Sequence, residues 1–338
     1  MTDLNILFKT AGGRAKNKEL GLGHIYRCMT LARHMSRHSI YFLVEDYGGV
    51  KSVLRDNKIY KIYDLKRNSG IKYELQKTLD LIREKKIDIL IIDRFKTRNN
   101  YVKAVKKFVK TIVVSDLTNI DYDADLVVNG FVGFKDSIRK NKYGITCILG
   151  PKYQILNEKY EQKPIRKKKR FDLLITMGGF DDKKIIEIIS KEIIPFLDRL
   201  KVKIILGPAT TRSRAIANLE SKFKKNLIIV QKTKNMREEI LDSKFGICGG
   251  GITSYEFTNV GVPFAIICQY PHQLQTAAQW HKNKIGLNLG LPNKQLGNKL
   301  ESIFDDILAG VTYTRSKKIK VDGFGARRIS KIILSEDP

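Results

Sequence analysis

One histidine stands where it could take a proton from water. His24 follows two glycines in Gly21-Leu22-Gly23-His24, at the expected start of a helix. The partial positive charge of a helix N-terminus favours a neutral imidazole, the form that accepts a proton as a general base. A capping or packing histidine is the plainer alternative, and the flanking glycines weigh against it by leaving the ring open. Asp93, which closes the apolar run 87–92, is a second candidate, with an N-cap or loop role as its alternative.

Two further glycine-rich stretches suggest phosphate chemistry. They are Met177-Gly178-Gly179-Phe180-Asp181 and Gly249-Gly250-Gly251-Ile252-Thr253-Ser254. Glycines let a backbone approach a phosphate, and the first turn of a following helix has N–H groups to offer it. The last stretch joins glycines to the hydroxyls of Thr253 and Ser254, and Glu256 sits one turn on, where a carboxylate could accept from ribose hydroxyls. A tight strand-to-helix turn with hydroxyl capping is the alternative. Three such loops in successive β/α units favour the phosphate reading.

Other chemistries fit less well. The first loop lacks the third glycine of a dinucleotide fingerprint, with Arg27-Cys28 in that region, and the segment 9–20 before it is long. Glu45 and Asp46 nevertheless follow the second strand, about where a ribose-binding acid would stand, so an NAD-type dehydrogenase remains a competitor. No GxxxxGK[ST] occurs, which excludes a P-loop kinase or ATPase. Cys28, Cys147, Cys248 and Cys268 form no CxxC pair, and His34 and His38 lack an HExxH context. No metal and no cofactor are expected.

The elements that must position these residues read as two β/α series. Strands are expected at 4–8, 40–44, 87–93, 111–114, 125–128 and 147–149, with helices at 24–37, 72–86 and 101–108. After the basic run Arg166-Lys167-Lys168-Lys169-Arg170, strands are expected at 171–176, 202–206, 227–230, 245–248 and 264–268, with a helix at 183–196. Near-continuous apolar runs of this kind belong to parallel sheets covered on both faces. The expected fold is α/β, two Rossmann-like domains facing across a cleft: 1–163 carrying His24, 164–323 binding a nucleotide, and a helix in 324–338 crossing back to the first. Ligands bind such sheets beyond the carboxyl ends of the strands, where all three glycine loops fall.

Composition bounds the rest. The 338 residues carry 63 Lys+Arg against 35 Asp+Glu, a formal charge of +28, and 42% hydrophobic residues provide enough core for two domains. No apolar run is long enough to span a membrane, and the first residues do not read as a signal peptide, so a reducing cytoplasm is the expected compartment. The lysines are spread along the chain, and no recognition-helix or stacking-aromatic pattern accompanies them, so specific nucleic-acid binding is not expected. The run 166–170 reads as a solvated linker.

Taken together, Gly21-Leu22-Gly23-His24-Ile25-Tyr26-Arg27-Cys28 resembles the G-x-G-H-x-x-R-C signature of the UDP-2,4-diacetamido-2,4,6-trideoxy-β-L-altropyranose hydrolases of pseudaminic acid biosynthesis. Ile91-Ile92-Asp93-Arg94-Phe95, Gly150-Pro151-Lys152-Tyr153, the second and third glycine loops, and Asp322-Gly323-Phe324-Gly325-Ala326-Arg327-Arg328 agree in order. The resemblance implies a GT-B-like hydrolase related to the peptidoglycan GlcNAc transferase. It would act without a metal and release UDP with inversion, using His24 as general base. By the same resemblance Gly250, Gly251, Ile252, Thr253 and Ser254 hold the diphosphate and Glu256 the ribose. Gly21, Gly23, Arg27, Asp93, Gly178 and Gly179 line the substrate. The chain departs from the family at Asp93-Arg94-Phe95, where D-H-Y is usual, and at His272-Gln273, where Asn-Gln is usual. A His-Gln there also resembles GT-B glycosyltransferases, near the donor sugar and phosphate, so a transferase using a UDP-sugar stands as the alternative.

Overall fold

A computed structural model describes residues 3–13, 21–55, 60–162, 167–208, 210–313, 316 and 318–335. Residues 14–20 of the long first loop, together with Arg166, lie outside the described residues. The chain divides into two units, Met1–Glu158 with Asp322–Pro338, and Lys159–Val321.

The first unit is built on β1 (Asn5–Gly12), β2 (Ser39–Asp46), β3 (Lys61–Asp64), β4 (Ile89–Asp93), β5 (Lys110–Val114), β6 (Leu126–Asn129), β7 (Ser137–Lys140) and β8 (Thr146–Leu149). Helices α1 (Gly23–His34), α2 (Val50–Arg55), α3 (Ile71–Glu84) and α4 (Asn99–Val105) connect them. The strand order is β3-β2-β1-β4-β5-β6-β8-β7, parallel except for β7 against β8. Period-2 alternation sorts β1 onto two cores: Ile6 and Phe8 pack with α1, whereas Leu7 packs on the face covered by α3 and α4. The chain order reverses between β1 and β4, and there Thr10 is in register with Asp93.

The second unit repeats the plan with β9 (Phe171–Thr176), β10 (Val202–Leu206), β11 (Leu227–Gln231), β12 (Ser243–Cys248), β13 (Phe264–Ile267) and β14 (Gly286–Gly290). Its helices are α5 (Ile185–Glu192), α6 (Arg214–Lys222), α7 (Met236–Leu241), α8 (Ile252–Val260), α9 (Gln273–Lys282) and α10 (Leu296–Leu308). The order β11-β10-β9-β12-β13-β14 is the doubly wound arrangement, reversing between β9 and β12. Thr176 lies level with Cys248 across that reversal. Helix α5 is shorter than the expected 183–196, because Pro195 has no N–H to extend it and the next residues form a 3₁₀ turn, Ile194–Phe196.

The chain then returns to the first unit. Helix α11 (Gly325–Leu334) lays Ala326, Ile329 and Ile333 into the core shared with Ile25, Met29 and Ala32 of α1. This holds the back of α1, whose first turn carries His24.

Candidate functional site

In the first unit the strand reversal places a charged cluster. His24, Arg27 and Cys28 occupy positions i, i+3 and i+4 of α1 and so share one helix face. That face meets Asp93, which is fully buried at the end of β4. His24 Nδ1 lies 2.6 Å from Asp93 Oδ1. Arg27 donates to the same carboxylate, from Nη2 to Oδ1 at 2.5 Å and from Nε to Oδ2 at 3.0 Å. Its other nitrogen, Nη1, reaches Asp116 Oδ1 at 2.5 Å. The Cys28 thiol lies against Asp93 as well, and burial, then the carboxylate charge, push it well above its ordinary value. A neutral thiol there supports the carboxylate by packing rather than competing with it for Arg27.

His24 Nδ1 sits between Asp93 Oδ1 at 2.6 Å and Arg27 Nη2 at 2.8 Å, and the shorter contact, to the carboxylate, favours the tautomer in which Nδ1 donates and Nε2 accepts. Arg27 stands between the two carboxylates of Asp93 and Asp116, so the cluster carries one more negative than positive side chain besides His24.

Arg27 and Asp93, expected to line the substrate, are instead turned onto one another. Both oxygens of Asp93 are occupied, so its role is to hold His24. Asp116 did not stand out in the sequence. It lies two residues beyond β5, the strand next to β4, and the strand-end rule could have found it. His24, Asp93 and Asp116 also bring three potential metal donors within 4.8 Å of one another. The Arg27 guanidinium already bridges both carboxylates, so a metal ion would have to displace a buried cation, and the donor set does not fit a resident metal.

In the second unit the corresponding strand ends are lined by backbone. The loop after β9 carries Gly178 and Gly179, and the loop after β12 carries Gly249, Gly250 and Gly251. A Cβ on Gly178 would have Thr253 Oγ1 as its neighbour at 3.7 Å, so the two loops adjoin. The N-cap of α8 is Gly251, which has no side chain to bond the N–H groups of the first turn that opens at Ile252. A Cβ on Gly250 would come within 2.8 Å of the Gln273 Cβ, whereas at Gly251 the same position is open space. Gly250 is therefore required by packing, and Gly251 leaves room for a ligand to approach the backbone.

Two expectations change here, at Ser254 and Gln273. Ser254 is turned inward: its hydroxyl donates to Gly251 O at 2.8 Å and accepts from Trp280 Nε1 at 3.0 Å, so it shapes the loop instead of holding phosphate. Gln273 likewise uses its Oε1 to accept from Gln269 N–H at 2.7 Å. Gln269, which the sequence did not single out, donates to Met177 O and Phe180 O and straps the second glycine loop. His272 stacks on Tyr270, ring centroids 5.8 Å apart, at the start of α9. Asp181 accepts from Ile185 and Ile186 N–H and caps α5.

Glu256 sits one turn into α8 beside Tyr160 and Thr253. Burial pushes its carboxyl up to about 7, against the opposing pull of those two hydroxyls. A ligand offering hydroxyl donors would favour its charged form.

No protein-family model matches the chain. It is 26% identical over 276 residues to an uncharacterised protein of Methanocaldococcus jannaschii, covering 76% of this chain and 54% of that relative, so it spans about half that protein's length. It is 25% identical over 334 residues to the spore coat polysaccharide biosynthesis protein SpsG of Bacillus subtilis, covering 93% and 94% of the two chains. It is also 25% identical over 281 residues to the UDP-2,4-diacetamido-2,4,6-trideoxy-β-L-altropyranose hydrolase of Campylobacter jejuni, covering 81% and 95%. The resemblance carried by the motifs is thus a relationship along most of the chain. Among solved structures, MurG of Acinetobacter baumannii superposes with a TM-score of 0.59 at 14% identity, over 98% of this chain and 99% of that one. The spinosyn rhamnosyltransferase SpnG complexed with thymidine diphosphate gives 0.58 at 12%, over 98% and 96%. The fold is that of the GT-B enzymes.

Proposed function

We propose that this protein hydrolyses a UDP-linked 2,4-diacetamido-2,4,6-trideoxy hexose to the free sugar and UDP, with inversion, in nonulosonic acid biosynthesis of the pseudaminic type. The observation that carries this reading is the Asp93–His24 pair, with Nδ1 held 2.6 Å from the buried carboxylate. The relationship to the altropyranose hydrolase supplies the substrate class.

The division of work follows from chemistry. The second unit holds UDP: the backbone of Gly250, Gly251, Ile252 and Thr253 receives the diphosphate, with Gly178 and Gly179 beside it, and Glu256 accepts from the ribose. Stabilising the diphosphate makes it a good leaving group. On the first unit, Gly21 and Gly23 leave His24 accessible, and Nε2 takes a proton from water as its oxygen bonds to the anomeric carbon. The bond from that carbon to the phosphate oxygen breaks on the opposite face, and the electron pair leaves with UDP. One displacement inverts the centre, and no step requires a metal.

Incubating the protein with the UDP-2,4-diacetamido sugar and no acceptor tests the proposal. UDP release with formation of free sugar supports it. Absence of UDP release under those conditions defeats it. A GT-B glycosyltransferase is the second reading, favoured by His272-Gln273 at the start of α9; it predicts UDP release only when a sugar or lipid acceptor is added.

A further inference from the structure

A second buried network lies on the other face of the β4 end. Asp93 turns toward α1, and the next residue, Arg94, turns toward α3. Arg94 Nη1 donates to Glu74 Oε1 at 2.8 Å and Nη2 to Glu45 Oε2 at 3.3 Å. Glu45 is only 5% exposed and is itself fixed by the Tyr47 hydroxyl at 2.5 Å and the Asn68 N–H at 2.8 Å. Lys9, 1% exposed on β1, pairs with Glu74 and lies 4.5 Å above the Tyr101 ring.

The network therefore holds two cations and two carboxylates. The Arg94 fork is fixed before any ligand arrives, and its charge is already balanced. A guanidinium has five N–H donors, of which two are committed to these carboxylates. The side chain keeps 23% of its surface open at the carboxyl end of β4, one residue after Asp93. A balanced guanidinium gains little from an added anion, but its remaining donors still suit a neutral carbonyl.

We propose that Arg94 is a specificity-determining residue that donates to the carbonyl of an acylamino substituent on the sugar. This rests on the reading that the sugar of a UDP-sugar meets the first unit. Uronate and phosphorylated sugars would be disfavoured, because the network has no net positive charge to offer them.

The test is calorimetric binding of UDP, UDP-glucose and UDP-N-acetylglucosamine to the wild type, Arg94→Met and Arg94→Lys. The wild type should bind the acetamido sugar about 10-fold more tightly than UDP-glucose, the worth of one charge-assisted hydrogen bond. Arg94→Met should abolish that ratio and leave UDP affinity unchanged; Arg94→Lys, which keeps the charge inside the network and protects folding, should reduce it. A ratio that survives in both variants overturns the proposal. An equal loss for both UDP-sugars also overturns it, by making Arg94 a structural strut. Binding is read without turnover, so failure of the hydrolase reading is seen separately, as ligand discrimination without UDP release. If UDP itself does not bind, an NMR titration with N-acetylglucosamine and glucose applies the same criterion to the free sugars.

Discussion

The two units share a strand order about their reversal points, β3-β2-β1-β4-β5-β6 in one and β11-β10-β9-β12-β13-β14 in the other, yet they line the resulting strand ends differently. The first places side chains there: His24, Arg27, Asp93 and Asp116 on one face, Lys9, Glu45, Glu74 and Arg94 on the other. The second places backbone there, from two glycine loops and the start of α8. The same topological position can thus be furnished for proton transfer, which needs a positioned titratable group, or for phosphate binding, which needs N–H donors and no Cβ. Damage to one end should be chemical and damage to the other should be a loss of ligand affinity.

The largest expected effect comes from the side-chain end. His24→Ala removes the proton acceptor and should lower kcat about 1,000-fold, measured as UDP release, with the melting temperature little changed. Next is the buried charge behind it. Lys9→Met leaves Glu74 facing Arg94 alone and should cost about 3 kcal/mol in urea unfolding. Burial pushes the Lys9 ammonium down from 10.5 to about 8, so the unfolded chain binds more protons between those values. Its contribution to stability then rises with pH across that window, and the variant should flatten the rise.

The backbone end should respond differently. Gly251→Ala adds a Cβ into open space, so stability should hold, while UDP affinity falls about 10-fold if phosphate needs that approach. Unchanged affinity would remove this loop from the nucleotide site. The smallest effect is expected at Glu256. Its carboxyl ionises only near 7, so UDP affinity should rise with pH through that value as the ribose acceptor becomes charged. Because UDP ionises too, the informative quantity is the difference from Glu256→Gln, about threefold in dissociation constant at high pH.

Much of this was legible in the sequence, for physical reasons that differ by element. Strands β9 and β10 were read with the bounds they have, because unbroken apolar runs mark them, and the amphipathic pattern near the end placed α11 within 324–338. Strands β3 and β7 were missed: Lys61-Ile62-Tyr63-Asp64 and Ser137-Ile138-Arg139-Lys140 are edge strands with charged, partly exposed residues and no apolar run. His24 could be found because glycines mark a loop, but Asp116, the second acid on Arg27, follows a strand with no local signature. Lys9 was read as the start of the long segment 9–20 beyond the first strand, whereas β1 runs on through it to Gly12. Only the tertiary approach of α3 and β4 reveals that Lys9 is buried among opposite charges. Lys167, Lys168 and Arg170 are exposed, in keeping with the solvated run that was expected, and Lys167 and Arg170 also pair with Asp242, an acid more than 70 residues distant that local pattern cannot connect to them.

The most direct test of the division between the two ends is to measure kcat and the UDP dissociation constant on the same preparations of His24→Ala and Gly251→Ala. The prediction is a crossed result: His24→Ala loses turnover about 1,000-fold and keeps UDP affinity, while Gly251→Ala loses UDP affinity about 10-fold and keeps most of its turnover at saturating substrate. Loss of UDP affinity in His24→Ala as large as that in Gly251→Ala would contradict it.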